Sequence, residues 1–175
     1  MKAVFTVLFG FIISISSSQT LLKPDRVFDG NSIHEGWVVL VKGNKILEVG
    51  PSSSFKIPKG TKEVVLNGKT LMPGLIEGHS HVLLHPYNET VWNDQVLKES
   101  PVERSIRATN HVKNSLLAGV TTMRDLGAEG AGYSDVYIKK TIDEGIIIGP
   151  RLLVAGPAVV ATGAYGPKGF HDGVK

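Results

Sequence analysis

The 175-residue sequence contains no cysteine. That excludes a disulfide framework and any thiolate metal site, so a metal held here must take histidine and carboxylate ligands. Aromatic residues are scarce at 7%, and none is interleaved with a dense cationic run. The formal net charge is only +3, with the lysines scattered. Nucleic-acid binding therefore lacks its electrostatic footprint. No apolar stretch reaches the ~20 residues of a comfortable membrane span. There is no internal repeat, and the only low-complexity run past the N-terminus is Ser52 to Ser54. What is present, 42% apolar and 20% charged residues, belongs to a globular chain about the size of one ordinary domain.

The first eighteen residues have the three parts of a secretory signal. Lys2 gives the positive start, "AVFTVLFGFIISI" the apolar stretch, and Ser16 to Ser18 the small residues of a cleavage point before Gln19. Residues 1–18 are therefore expected to be a signal peptide. The mature chain is expected to be exported, periplasmic or secreted, with no membrane association after cleavage. An uncleaved anchor or a buried helix is the competing reading. "NET" at Asn88 to Thr90 is a glycosylation tripeptide of a kind that recurs by chance.

Residues 19–68 read as short strands. "WVVLVKGNKILEVG" predicts a hairpin, Trp37 to Val41 and Ile46 to Val49, turning through Lys42-Gly43-Asn44. "GPSSSFKIPKG" is loop chemistry and "KEVVLNG" another strand. The expectation is a small β-sandwich segment. Character changes at Lys69. "TLMPGLIEG" is nearly continuous apolar sequence, as in a parallel strand buried on both faces. A loop is expected from Leu84 to Glu99. "SPVERSIRATNHVKNSLLAG" then carries helix marks: Ser100 as cap, Pro101 at the first position, Glu103 to complete a capping box, and Gly119 as stop. Val102, Ile106, Thr109, Val112 and Leu116 form its expected inward stripe. "VTTMRDLG" reads as a strand, "SDVYIKKTIDEG" as a helix ending at Gly145, and "PRLLVAG" as a third strand. Alternating strand and helix call for an α/β fold with a parallel sheet.

The first strand of that sheet closes with "GHSH". Strand side chains alternate, so His79 and His81 project to one face and Ser80 to the other. Their Cβ atoms would lie ~7 Å apart, a gap two imidazoles can bridge when each lies ~2.0–2.1 Å from one ion. The end of a parallel strand is also where such folds put their chemistry. A bare His-x-His is more often structural. The apolar run, the Pro-Gly turn and Gly78 ahead of the first histidine favour a metal half-site here.

At these residues a family resemblance enters. "LMPGLIEGHSH" resembles the first barrel strand of the metal-dependent amidohydrolase superfamily. "AGVTTMRDLGA" and "IIIGPRLLVAG" resemble its second and third strands in the imidazolonepropionase and Xaa-Pro dipeptidase-like branch. "FDGNSIHEGWVVLVKGNKILEVG" resembles that family's N-terminal β-sandwich. The resemblance implies a (β/α)8 TIM-type barrel, a divalent ion, expected to be zinc, bound by His79 and His81, and hydrolysis of C–N bonds in a small-molecule or dipeptide substrate. Further ligands and an aspartate base belong to later strands of that barrel. A complete barrel takes ~250 residues, so residues 69–175 are expected to supply about three β/α units of an incomplete one, inert without the rest. Lys168 is in a Gly/Pro loop and is not cast as a bridging lysine. Competing readings are a heterocycle deaminase and an inert fragment with a binding or structural role.

Other residues have plainer readings. Tyr165 and His171, in "TGAYGPKGFHDG" after the third strand, are the candidates for substrate contact, against a solvated loop. His85 reads as a loop residue, His111 as helix surface, and His34 as part of the sandwich. Arg124 and Asp125 read as an ion pair or helix cap rather than catalytic groups. Signal cleavage has a direct check: N-terminal sequencing of exported protein should begin near Gln19, and an intact Met1 would refute it.

Overall fold

The computed structural model describes residues 19–161. The expected signal segment, residues 1–18, and the loop with Tyr165, Lys168 and His171 lie outside the described residues. The chain divides into two compact units after Pro73.

The first unit is a single sheet of five strands: β1 (Gln19–Phe28), β2 (Ile33–Glu35), β3 (Trp37–Lys42), β4 (Lys45–Pro51) and β5 (Lys62–Leu71). β1 is its centre. It pairs antiparallel with β3 through residues 19–22 and with β2 through residues 26–28, and parallel with β5 on its other side. β3 and β4 form the expected hairpin, turning at Gly43 and Asn44. Leu21, Val38 and Leu40 make a small core, with Phe55 packed on it. The described residues of this unit form one sheet. His34 keeps to this unit, stacked 3.7 Å from the Trp37 ring and bonded to Asp29 at 2.9 Å.

The second unit is α/β. Its strands β6 (Leu75–Ser80), β7 (Val120–Asp125) and β8 (Arg151–Leu153) lie parallel in that order. Helices α1 (Trp92–Leu97) and α2 (Pro101–Leu117) connect the first pair, and α3 (Ser134–Asp143) the second. The α2 start is as expected: the Ser100 side chain accepts the Glu103 N–H at 3.0 Å, with Pro101 next to the cap. The Glu103 carboxylate turns instead to Arg107, at 2.7 Å. Gly119, at φ +98°, ends the helix in a conformation that only glycine adopts without cost. A core of Val82, Leu83, Ala108, Val112, Met123, Ile138 and Leu152 fills the space between sheet and helices. No helix among the described residues is long and apolar enough to cross a membrane.

Four expectations need correction. β6 is not buried on both faces: Leu75 and Ile76 are 49% and 76% exposed. Among the described residues it pairs only with β7, so it is an edge strand. The stretch expected as loop contains α1, whose buried Gln95 donates to the carbonyls of His85 and Thr90 and accepts the His85 N–H. The inward face of α2 is Arg104, Ala108 and Val112, while Val102 and Ile106 point out. Its true spacing of four residues fits the helix period, but an arginine occupies one of the inward places, and a purely apolar pattern discards it. His111 is half-buried and bonds the Val82 carbonyl through Nδ1 at 2.9 Å, so it is not simple helix surface.

Arg104 is 1% exposed and binds backbone. Nε donates to Leu83 O at 3.1 Å, one terminal nitrogen to Glu129 O at 2.9 Å, and the other to Ala128 O at 3.2 Å. One planar fork thereby ties the loop after β6 to the loop after β7. Burial lowers its pKa, while Glu99 and Glu129 work the other way. Losing the fork strands buried carbonyls at about 1–3 kcal/mol each. Arg104→Met should therefore lower unfolding stability by roughly 3 kcal/mol or more, read as a shift of the urea midpoint.

Candidate metal centre

The local chain explains why the two histidines share a face. Gly74 opens the segment because nothing larger fits: a Cβ there would lie 2.1 Å from Thr121 Oγ1. β6 then runs beside β7, bringing Ser80 opposite Asp125. Ser80 points away from the histidines and donates to Arg124 O at 3.0 Å. Arg124 Nε donates to Gly78 O at 3.1 Å. Glu77, His79 and His81 occupy the alternate positions. His79 ends on the strand and His81 lies one residue past its last member, Ser80. Their ring centroids are 5.5 Å apart, with planes at 66°.

His81 is held and His79 is not. His81 Nδ1 lies 3.2 Å from the Gly127 carbonyl and 3.5 Å from Glu129 Oε1. A carbonyl can only accept, so the proton belongs on Nδ1 and the Nε2 lone pair stays open, as a metal ligand needs. Glu129 is fixed in turn, with Oε2 accepting from the Trp92 indole at 3.0 Å. The His79 ring is exposed; its backbone N–H bonds Glu77 Oε1 at 2.8 Å.

Beside this pair are two fully buried carboxylates. Asp125 Oδ1 accepts the Gly127 N–H at 3.3 Å, and Asp135 Oδ2 accepts the Gly156 N–H at 2.7 Å. The second oxygen of each has no hydrogen-bond partner among the described residues. The Asp125 pKa is pushed up to about 7, first by burial and further by Asp135; the Gly127 N–H and His81 oppose that. Arg124 and Asp125 therefore form neither an ion pair nor a helix cap. The first meets backbone, and the second braces the turn that carries Gly127.

The residues fit a divalent ion as two of its ligands. One imidazole has its tautomer set for coordination, and the other converges on it. Among the described residues no group of three or more histidines and acids is gathered to hold an ion, whereas catalytic zinc takes three protein ligands. His85 is not a third. Its ring nitrogens face Glu89 at 3.3 Å and Glu99 at 3.1 Å, and Glu99 is itself paired with Arg107 at 2.6 Å. His81, His85 and His111 border one open groove of about 560 Å³, together with Tyr87 and Asn114. Tyr165 and His171, the expected substrate contacts, lie outside the described residues. Sequence reasoning missed Glu129, Trp92 and Arg104. Only Glu129 left a signal, as an acid among glycines just past the second strand.

Comparison with known proteins gives concordant findings. Residues 70–173 match the model of the family described as "Amidohydrolase family". An imidazolonepropionase from Alkaliphilus metalliredigens (strain QYMF) is 36% identical over 66 residues, 34% of this chain and 15% of that protein. A prolidase crystallised with N-methylphosphonate-L-proline is 28% identical with a TM-score of 0.67, covering 86% of this chain and 35% of the other. A Xaa-Pro dipeptidase with methionine bound in its active site has a TM-score of 0.68 at 23% identity, covering 85% and 36%. That last likeness concerns the fold alone. The chain spans 15% of the length of the curated relative and about a third of these solved structures.

The raised Asp125 pKa has a stability consequence. Its folded value of about 7 lies above the ordinary 3.8, so between those limits the native state keeps a proton that the unfolded chain releases. Stability is greatest below pH ~4 as far as this group is concerned, and it falls as pH rises through ~7. At about 1.4 kcal/mol per unit the loss is at most on the order of 4 kcal/mol. In chelator-containing buffer, the melting temperature should drop from pH 5 to pH 8, and Asp125→Asn should flatten that drop.

Proposed function

The chain belongs to the amidohydrolase family, and from that premise we propose that it carries the entrance half of a divalent-metal centre for hydrolysing C–N bonds, with zinc as the ion. The observation that carries the reading is the His81 imidazole, whose Nδ1 is committed to the Gly127 carbonyl at 3.2 Å while the His79 ring stands 5.5 Å away. The three parallel strands with their helices are, in this reading, the first β/α units of a TIM-type barrel. The five-stranded sheet is one layer of the sandwich before it. Residues 1–18 direct export.

Bound between these imidazoles, a zinc ion would supply Lewis-acid activation of water near neutral pH. The chain's own part is positional. His81 enters the site with a fixed tautomer and ring plane, because Nδ1 cannot leave its carbonyl without stranding a buried acceptor. His79 keeps an exposed ring and would be the second ligand of the ion. Asp125 fixes the Gly127 turn from below. The Trp92 indole holds the Glu129 carboxylate beside His81, where low exposure strengthens charge interactions. A small C–N substrate, of the Xaa-Pro dipeptide or N-acyl kind, would approach from the strand ends, with Tyr165 and His171 as its proposed contacts.

Metal analysis and activity assay test this together. In the full-length enzyme, His79→Ala and His81→Ala should each cut bound zinc per chain and, in parallel, chelator-sensitive hydrolysis of Xaa-Pro dipeptides. The His81 variant should lose more, since it removes the preset donor. Full metal content in both variants would sink the proposal.

A further inference from the structure

Glu129, in the turn after β7, has a strained backbone and a carboxylate aimed at His81. Its φ is +47°, and among the described residues it is the one non-glycine with a positive φ. A long side chain seldom adopts that conformation, and it persists only where surroundings enforce it. Here they do: Arg104 holds its carbonyl at 2.9 Å, and the Trp92 indole holds its Oε2 at 3.0 Å. Glycine would suit the backbone better, and glycines stand nearby at 127 and 130. What glutamate adds is its carboxylate, 14% exposed, with Oε1 3.5 Å from His81 Nδ1.

We propose that Glu129 is a positioning residue for His81, holding the imidazole with Nδ1 inward and strengthening Nε2 as a donor to a divalent cation. The division of labour follows from the distances. The Gly127 carbonyl at 3.2 Å accepts the hydrogen bond from Nδ1–H; the carboxylate at 3.5 Å supplies negative charge beside it. Charge near a protonated Nδ1 raises electron density on the ring and makes the opposite nitrogen a better ligand. Low exposure keeps water from screening the effect. Glu129 acts through His81 and needs no contact with substrate. The inference rests on the metal-ligand reading of His81 given above.

Zinc affinity, measured on the full chain by competition with a chromophoric chelator, separates the two claims. Glu129→Gln keeps the shape and removes the charge, so it should weaken zinc binding by about tenfold or more. Glu129→Asp keeps the charge and tolerates the left-handed backbone, so it should recover most of that loss. Glu129→Gly suits the backbone outright, and it keeps the test open if the glutamine variant folds poorly; it should weaken zinc binding as glutamine does. His81→Ala is the reference for the metal reading. Wild-type affinity in the glutamine and glycine variants, with loss in His81→Ala, would overturn the positioning role and leave the metal reading standing. Equal losses with aspartate and glutamine would overturn it as well, because charge would then be irrelevant. Wild-type affinity in His81→Ala would overturn both.

Discussion

The Arg104 guanidinium carries the geometry of the strand ends. It leaves α2, enters the core and donates to three carbonyls, Leu83 on one loop and Ala128 and Glu129 on the other. Those loops hold His81 on one side and its partners Gly127 and Glu129 on the other. A hydrophobic contact could fill the same volume and would contribute about 1.5–3 kcal/mol, but it would not fix direction. Three bonds from one planar group set the distance between the loops and their rotation together. The site depends on that, because an imidazole 3.2 Å from a carbonyl needs both loops in register.

Polar burial in the second unit is concentrated at this one end. Arg104, Gln95, Asp125 and Asp135 are its buried polar side chains, and each meets loop backbone rather than another side chain. The middle of the unit is apolar, from Leu83 through Val112 to Leu152. Buried polar groups cost free energy unless they are bonded. They therefore sit where loops offer unpaired backbone groups, which is beyond the last ladder bonds of the parallel strands. The same arithmetic marks Asp125 and Asp135 as the weak points. Each satisfies one oxygen, and the other has no hydrogen-bond partner among the described residues.

Period and punctuation made the framework legible in the sequence. The Trp37 to Pro51 hairpin followed from its glycine turn, and α2 from Ser100, Pro101 and Gly119, because local chemistry fixes such features. Strict alternation likewise put His79 and His81 on one face. What escaped was set by tertiary partners. The exposure of Ile76 depends on which strand lies beside β6. The inward face of α2 was misread because Arg104 counts as polar in any pattern, while its buried place follows from carbonyls 20 or more residues away. Helix α1 is short, with Gln95 inward for hydrogen bonds rather than for packing. The ion-pair or helix-cap reading of Arg124 and Asp125 fails because neighbours in a strand send their side chains to opposite faces.

That alternation also explains why the two histidines are unequal. His81 lies just past β6, where the chain leaves the sheet and meets the β7 loop, so it finds Gly127 and Glu129. His79 is two residues back, on an edge strand, and its ring stays in the open. One ring is thus held by a backbone carbonyl, and the other is exposed. Fixing a free ring costs entropy that must come from any ligand that orders it, while the fixed ring has already met that cost through Arg104, Asp125 and the Gly127 turn. The asymmetry is built into where the strand ends: a pair shifted by one residue in either direction would turn to the opposite face, and only a shift of two would keep the face while moving both rings along the strand.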